Sequence, residues 1–297
     1  MGAAARRAGV RLWWRISWLL LACALPAGAV FELTGRGARS TALGGALVAS
    51  ASTAEAVWYN PAGNARQEHW HVGSTHALLY PALERSPMLN GLAVAGPLQN
   101  GGFQAGLSFL GADGWREEVI ALGYGRALND RLALGGGLRT SAWKAGDLSH
   151  RAWSMDLGGT WEVGFVHPLA YMRVGVAARG LNSANFAIGG QAAGEEPRSV
   201  VLAAAIIMAG KELLIDLERN DGRSVLRLGY ETRTVSLSGA RFRVGGTALG
   251  SNLGGGDLRV GLGHDWKDWN FDYAYSIPVQ VTGMGGIHRV SVGYRRR

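Results

Sequence analysis

The chain has 297 residues, of which 47% are apolar and only 18% charged, and its formal net charge is +8. That length suits one all-β domain, and its 46 glycines follow no three-residue period, which excludes a collagen-like chain. Twenty-seven of the 30 basic residues are arginine and they are scattered, so no nucleic-acid footprint forms and no nucleic-acid partner is expected.

Residues 1–29 read as a secretory signal peptide. Arg6, Arg7, Arg11 and Arg15 make a basic start, Ile16 to Leu25 an apolar stretch, and Ala27-Gly28-Ala29 a small-residue cleavage site that leaves Val30 as the first mature residue. The apolar stretch is far shorter than the roughly 20 residues a spanning helix needs. Four basic residues and no acid lie in this leader, so the remainder carries +4. Leu20-Leu21-Ala22-Cys23 puts a bulky leucine where a lipidation signal wants a small residue. Cys23 is the only cysteine, so the mature chain has no disulfide and no cysteine-based metal site.

Residues 30–67 do not alternate. Within them, 37–63 are small and apolar, with Arg39 and Glu55 the only charges. Asn60-Pro61 is a turn signal, and Gly63 releases the chain toward the first alternating segment.

From residue 68 to 297 the dominant period is two. Trp153, Met155, Leu157, Gly159, Trp161, Val163 and Phe165 share one face of a segment whose other face carries Ser154, Asp156, Gly158, Thr160 and Glu162. Successive side chains of a strand point to opposite sides, so each such segment has one apolar and one polar face. Fourteen segments obey this rule: 69–80, 87–98, 102–110, 115–126, 131–143, 152–165, 170–180, 198–208, 211–219, 223–232, 235–245, 257–266, 269–277 and 287–295. Connections after even-numbered segments are short, whereas 144–151, 181–197, 246–256 and 278–286, all after odd-numbered ones, are long. Short turns at one end and long loops at the other are the signature of a transmembrane antiparallel up-and-down β-barrel. Trp143, Trp153, Phe165, Tyr171, Trp266, Trp269 and Tyr294 fall near segment ends, as interfacial aromatic girdles require.

The polar faces then line a lumen. Its candidate charges are Arg131, Arg139, Asp156, Glu162, Arg173, Asp216, Arg227, Arg259, Asp272 and Arg289, six cations and four carboxylates. Residues 37–63 are too apolar to stand free and rich enough in glycine and alanine to pack closely in a confined mouth. We therefore expect an N-terminal plug, with Arg39, Glu55, Trp58, Tyr59, Asn60 and Pro61 as its notable residues. Within 37–63, Arg39 and Glu55 are the only means of pairing with lumen charges, for example Asp156 or Arg173.

No catalytic constellation emerges. Gly135-Gly136-Gly137 and Gly254-Gly255-Gly256 lack the helix and the Gly-Lys-Ser/Thr of a phosphate loop. His69 and His71 share a face, but no carboxylate or cysteine completes a metal-ligand set. Ser149 and His150 are adjacent on an extended stretch and point apart, so with Asp147 they make no nucleophile and base. No enzyme activity, cofactor or metal is expected.

Gly37-Ala-Arg-Ser-Thr-Ala-Leu-Gly-Gly-Ala-Leu-Val-Ala49 followed by Ala54-Glu-Ala-Val-Trp-Tyr-Asn-Pro-Ala-Gly63 resembles the N-terminal signature of the PorV/PorQ family, within the wider FadL-type outer-membrane superfamily. Trp269 to Tyr275 and Gly286 to Tyr294 look like that family's last two strands, and Leu213 to Glu218 with Leu226 to Glu231 like its mid-barrel hairpin. Ser52 and Thr53 stand where the family often has an acidic pair, and the sequence ends Tyr294-Arg-Arg-Arg297 rather than on an aromatic residue. The resemblance implies a fourteen-stranded barrel in the outer membrane of a Gram-negative bacterium, in contact with its lipid, with the N-terminal segment folded into the periplasmic mouth. It implies a plugged channel for small hydrophobic or amphipathic molecules. The alternative is a PorV-like scaffold whose loops bind an exported protein in secretion.

Overall fold

The computed structural model describes residues 36–296 apart from 183–184, 189–190, 196–197, 221–222, 235–238, 250–255 and 279–281. The expected signal peptide and the first residues of the N-terminal segment lie outside the described residues. Among the described residues, fourteen strands close into one antiparallel barrel. They are β1 (Trp70–Leu79), β2 (Met88–Leu98), β3 (Gly101–Ala112), β4 (Trp115–Ala127), β5 (Leu132–Ala145), β6 (Leu148–His167) and β7 (Ala170–Arg179), then β8 (Ser199–Met208), β9 (Lys211–Asn220), β10 (Arg223–Arg233), β11 (Ala240–Leu249), β12 (Asp257–Trp266), β13 (Trp269–Pro278) and β14 (Ile287–Arg296). Each pairs with its sequence neighbours, and β1 closes the ring against β14, from Trp70 opposite Arg296 to Leu79 opposite Ile287. Closure leaves no unpaired edge, the condition for a sheet to cross a bilayer.

The apolar faces point outward. Leu122, Leu138 and Met155 lie in register across β4, β5 and β6 and are 48%, 53% and 43% exposed. Val72, Leu92, Leu202, Leu228, Val244, Leu262, Phe271 and Val290 continue this exposed apolar surface around the ring. A water-soluble sandwich would cover such a surface with a second layer. The described helices are only α1 (Ala38–Ala42) and two 3-10 turns, Ala54–Trp58 and Thr282–Met284, and the first two of these lie inside. Hydrocarbon is therefore the solvent this wall fits.

The connections sort by end. After even-numbered strands the longest is 234–239; after odd-numbered ones they include 80–87, 180–198, 250–256 and 279–286. Within 180–198 a small hairpin pairs Asn185–Ile188 with Gln191–Glu195. Both chain ends meet the barrel at the short-turn end, which is the periplasmic end by the barrel rule.

Four local readings change. Residues 144–151 are not a loop: β5 and β6 run on to Ala145 and back from Leu148, joined by Gly146-Asp147 with Gly146 at φ 58°. Strand β11 starts at Ala240 rather than 235, because Gly239 at φ 88° ends any extended run, and it continues through Gly245-Gly246 to Leu249. A bulge at Gly164 (φ 100°) shifts the alternation of β6, so Phe165 pairs edge-on with Tyr171 instead of joining the face of Trp153. Trp143 shares the inward register of Arg139, and the Tyr171 hydroxyl donates to Glu162 inside, so neither belongs to the outer girdle, where Trp153, Trp266, Trp269 and Tyr294 stand exposed.

A charge on the outward face at mid-barrel should be costly. Leu138→Arg is expected to lower the folding free energy in urea-titrated vesicles by about 2–4 kcal/mol, while Arg126→Leu, near the short-turn end, changes it little.

Candidate functional site

The interior is occupied by residues 36–67, and their seating is specified residue by residue. The segment enters with Arg36, whose guanidinium lies 4.6 Å above the Trp58 ring. Helix α1 starts where the Ala38 amide donates to Ser291 Oγ on β14 (2.8 Å), which itself bonds Thr75 on β1 (2.7 Å) across the barrel's closing seam. The Arg289 guanidinium donates to the Thr41 hydroxyl. Two glycines end the helix, Gly44 at φ 69° and Gly45 at φ 81°, with the Gly45 amide donating to Ser40 O (2.8 Å). Positive φ favours glycine there, and a Cβ on Gly44 would also press on the backbone of Leu228 and Gly246.

Arg39 makes the central contact. Its Nη2 donates to Glu212 on β9 (3.0 Å) and its Nε to Glu231 on β10 (3.2 Å). Those two carboxylates stand directly opposite each other in the β9–β10 register. Arg243 on β11 continues the chain, donating to Glu231 at 2.5 Å and to Asp272 on β13 at 2.6 Å. Burial alone would favour the neutral form of Arg39, but Glu231, Glu212 and Glu55 outweigh it and raise its pKa above the ordinary guanidinium value. Other anchors reinforce this one. The Ser50 hydroxyl donates to Glu212, and Asp216 Oδ2 accepts from the Leu47 and Val48 amides (3.0 and 3.1 Å). Asn60 is more than a turn residue: its Nδ2 donates to Val48 O (2.9 Å) and to Gly159 O on β6 (3.2 Å), while its Oδ1 accepts from the Ala62 amide (2.9 Å). Asn64 donates to Thr53 O and to Gln104 Oε1 on β3 (2.7 Å).

Between these anchors the packing is apolar. Leu43, Leu47, Val48, Val57, Trp58 and Tyr59 form one buried cluster with the wall residues Ala93, Val119, Ala121, Ala177, Val201, Ala203, Ala205 and Leu214. Where the segment presses hardest, the wall is glycine: a Cβ on Gly158 would overlap Asn60 Oδ1, and one on Gly135 would overlap Pro61. Glu55 is half-buried and accepts from the Ser40 amide at 3.3 Å.

Most of the lumen charges expected from the alternation are engaged inside the barrel. Arg139 pairs with Asp156 (2.6 Å) and Arg173 with Glu162 (2.7 Å). Arg227 pairs with Glu218, Arg259 with Asp257 and Asp272 with Arg243, while Asp216 and Arg289 hold the N-terminal segment. Arg131 is corrected: it is exposed in the turn between β4 and β5, where its amide donates to Asn129 Oδ1. The expected partners of Arg39 and Glu55 are corrected too, because Asp156 and Arg173 are engaged within the wall. Sequence reasoning missed Glu212 and Gln104, although both fall on inward positions of their strands and were findable from alternation alone.

Toward the long-connection end the inner surface changes again. Ala77, Leu79 and Leu89 form an apolar cluster with Leu110, Ile287 and Tyr80, where β1, β2, β3 and β14 reach the outer mouth.

No family model and no curated protein sequence matches this chain. Solved structures do match in fold. The Ralstonia pickettii toluene transporter TbuX superposes with a TM-score of 0.63 at 13% identity, covering 90% of this chain and 100% of that one. The barrel has the fold of monoaromatic hydrocarbon channels. CymD, a monoaromatic hydrocarbon channel, gives 0.60 at 14% identity over 90% and 97%, and the Pseudomonas putida toluene transporter TodX gives 0.56 at 13% over 90% and 99%. Nothing in these comparisons supports the PorV/PorQ kinship or an exported-protein partner.

Two outcomes are expected for the purified, folded protein. Removing Arg39 leaves Glu212 without a cation while Glu231 keeps Arg243, a loss of about 3 kcal/mol, the lower end for a broken buried pair. Arg39→Met should raise chymotrypsin cleavage after Trp58 and Tyr59 on the order of a hundredfold, with the exposed Arg66→Met behaving as wild type. Burial, reinforced by Asp272, pushes the Glu55 pKa up against the opposing pull of Arg39, the Ser40 amide and Arg243. The seated form thus binds a proton more tightly than the released form does. Seating is strongest below the ordinary carboxylate range and weakens as pH rises through the raised value. Cleavage normalised to a peptide substrate should rise with pH in wild type and stay flat in Glu55→Gln.

Proposed function

We propose that the protein is an outer-membrane channel for small hydrophobic molecules and that residues 30–67 are its plug. The observation that carries this reading is an apolar outer mouth set over a lumen occupied by a segment held through exchangeable polar anchors. The full-length likeness in fold to toluene and monoaromatic hydrocarbon channels supports the same reading. A hydrophobic solute gains by leaving water for the Leu79, Leu89, Leu110 and Ile287 surface, at about 25 cal/mol per Å² of apolar area. Passage beyond that point requires the segment to shift. Its hydrogen bonds contribute on the order of 1 kcal/mol each net of water, so individual anchors are exchangeable even though their sum is not. The charged wall behind the segment repels nothing apolar while the segment covers it. The roles of Arg39, Glu55, Trp58, Tyr59, Asn60 and Pro61 are those of anchors and filler, with no chemistry at any of them.

Uptake of radiolabelled toluene at limiting concentration by cells lacking other hydrocarbon channels tests this. The wild-type protein should speed uptake several-fold over empty cells, and Leu89→Arg, which charges the mouth, should abolish most of that gain. Vesicles carrying the wild type should exclude sucrose, while those carrying a 36–67 deletion, or Arg39→Met should the deletion not assemble, should admit it. Unaccelerated toluene uptake combined with free sucrose passage through the wild type would make this an ordinary polar pore.

A further inference from the structure

The outward face of β4, β5 and β6 changes in steps toward the long-connection end. Above the mid-barrel row of Leu122, Leu138 and Met155 comes Ile120, Thr140 and Trp153, then Glu118, Ala142 and Arg151, then Arg116, Lys144 and Ser149. Residues two apart share a face and the registers here are unbroken, so each row lies side by side. Three cations and one carboxylate therefore stand above the apolar band, pointing away from the lumen. On the far side of the barrel the outward positions nearest the long-connection end read Leu258 opposite Ile277 and Val260 opposite Tyr275.

The cluster is arranged as well as charged. Arg116 and Arg151 approach different oxygens of Glu118, at 3.6 and 3.7 Å, while their side chains stay 60% and 64% exposed. Pairs this exposed contribute little, so the carboxylate aligns two guanidiniums without consuming them. The Arg116 guanidinium also lies 4.4 Å above the Phe109 ring. Beside it runs an open groove of about 660 Å³ bordered by Glu84, Arg85, Met88, Asp113, Trp115 and Arg116.

We propose that this face binds the phosphates of a phosphoglycolipid of the outer leaflet, the lipid A portion of lipopolysaccharide. Arg116, Lys144 and Arg151 are the phosphate ligands and the groove receives a headgroup sugar. The guanidinium fork matches phosphate in geometry and charge, and a basic cluster just beyond an exposed tryptophan sits at the depth where headgroups begin. This depends on outer-membrane placement with the long connections facing out, and not on whether the lumen conducts, so a failed transport assay leaves it standing.

The full chain in phosphatidylcholine nanodiscs is titrated with diphosphoryl lipid A and with its dephosphorylated form, and bound lipid is counted by native mass spectrometry. The wild type should prefer the diphosphoryl form about tenfold, and Arg116→Ala/Lys144→Ala/Arg151→Ala should weaken its binding on the order of tenfold or more. Arg126→Ala/Arg219→Ala/Arg233→Ala, a control in exposed arginines elsewhere, should bind as wild type, and Glu118→Gln, which keeps every cation, at least as tightly. Heat-modifiable migration confirms that each variant is folded, and Arg151→Ala alone serves if the triple variant is not. Equal binding by wild type and the cation variant, equal loss in the control, indifference to the phosphates, or equally effective competition by phosphatidylglycerol would each overturn the proposal.

Discussion

Two carboxylates facing each other across adjacent strands set the terms for the interior. Glu212 and Glu231 are opposite partners in the β9–β10 ladder and both point inward. Like charges so placed repel, and more strongly in a confined lumen than at a surface. Arg39 stands between them and is the only cation the N-terminal segment brings within reach of both. The remaining contacts of α1 place that guanidinium: the Ala38 amide on Ser291, the Arg289 guanidinium on Thr41, and the glycine pair that stops the helix after one turn. Arg243 then carries the alternation of sign on to Asp272. Replacing a buried ionic chain by apolar residues of similar volume is often neutral, whereas removing one member is costly. The chain is better understood as fixing where the segment sits than as a source of net stability.

Shape agrees with charge. Between residues 37 and 63 the segment is mostly glycine, alanine, serine and threonine, and the wall facing its backbone is glycine at Gly102, Gly125, Gly135, Gly175, Gly229 and Gly245. Backbone therefore packs on backbone, which brings amides and carbonyls within reach of Asn60, Asn64 and Asp216. In a close-packed interior one added carbon is felt. A wall of ordinary inward residues would leave no room for these bonds, and a segment of ordinary side chains would not reach them.

The barrel was legible because lipid imposes one rule on every strand. Each outward face must be apolar whatever its neighbours are, so fourteen separate alternations could be read without knowing how the strands pair. What escaped depends on the third dimension. The Gly146-Asp147 turn and the end of β11 at Gly239 turn on backbone conformation at single glycines, which alternation does not report. Arg131 alternates correctly but lies one residue outside β5. The partners of Arg39 escaped for a deeper reason. Which charges meet across a lumen depends on the stagger accumulated around the ring, and this is not carried by any one strand. Glu212 was assignable to the inward face, yet its meeting with Arg39, 173 residues away, was not.

The interior has two characters. The buried apolar wall residues come from β2, β4, β7, β8 and β9, while most ion pairs lie on β9 to β13. The segment matches both, with Leu47, Val57 and Trp58 in the apolar cluster and Arg39 on the charged side. Consider the wall with the segment displaced. Arg243–Asp272, Arg227–Glu218 and Arg259–Asp257 stay paired, since both partners belong to the barrel. Arg243–Glu231 stays paired as well, so Glu212 is the carboxylate left without a cation, opposite Glu231. The cost of removing the segment from this wall thus falls in large part on Glu212, the carboxylate whose cation the segment supplies.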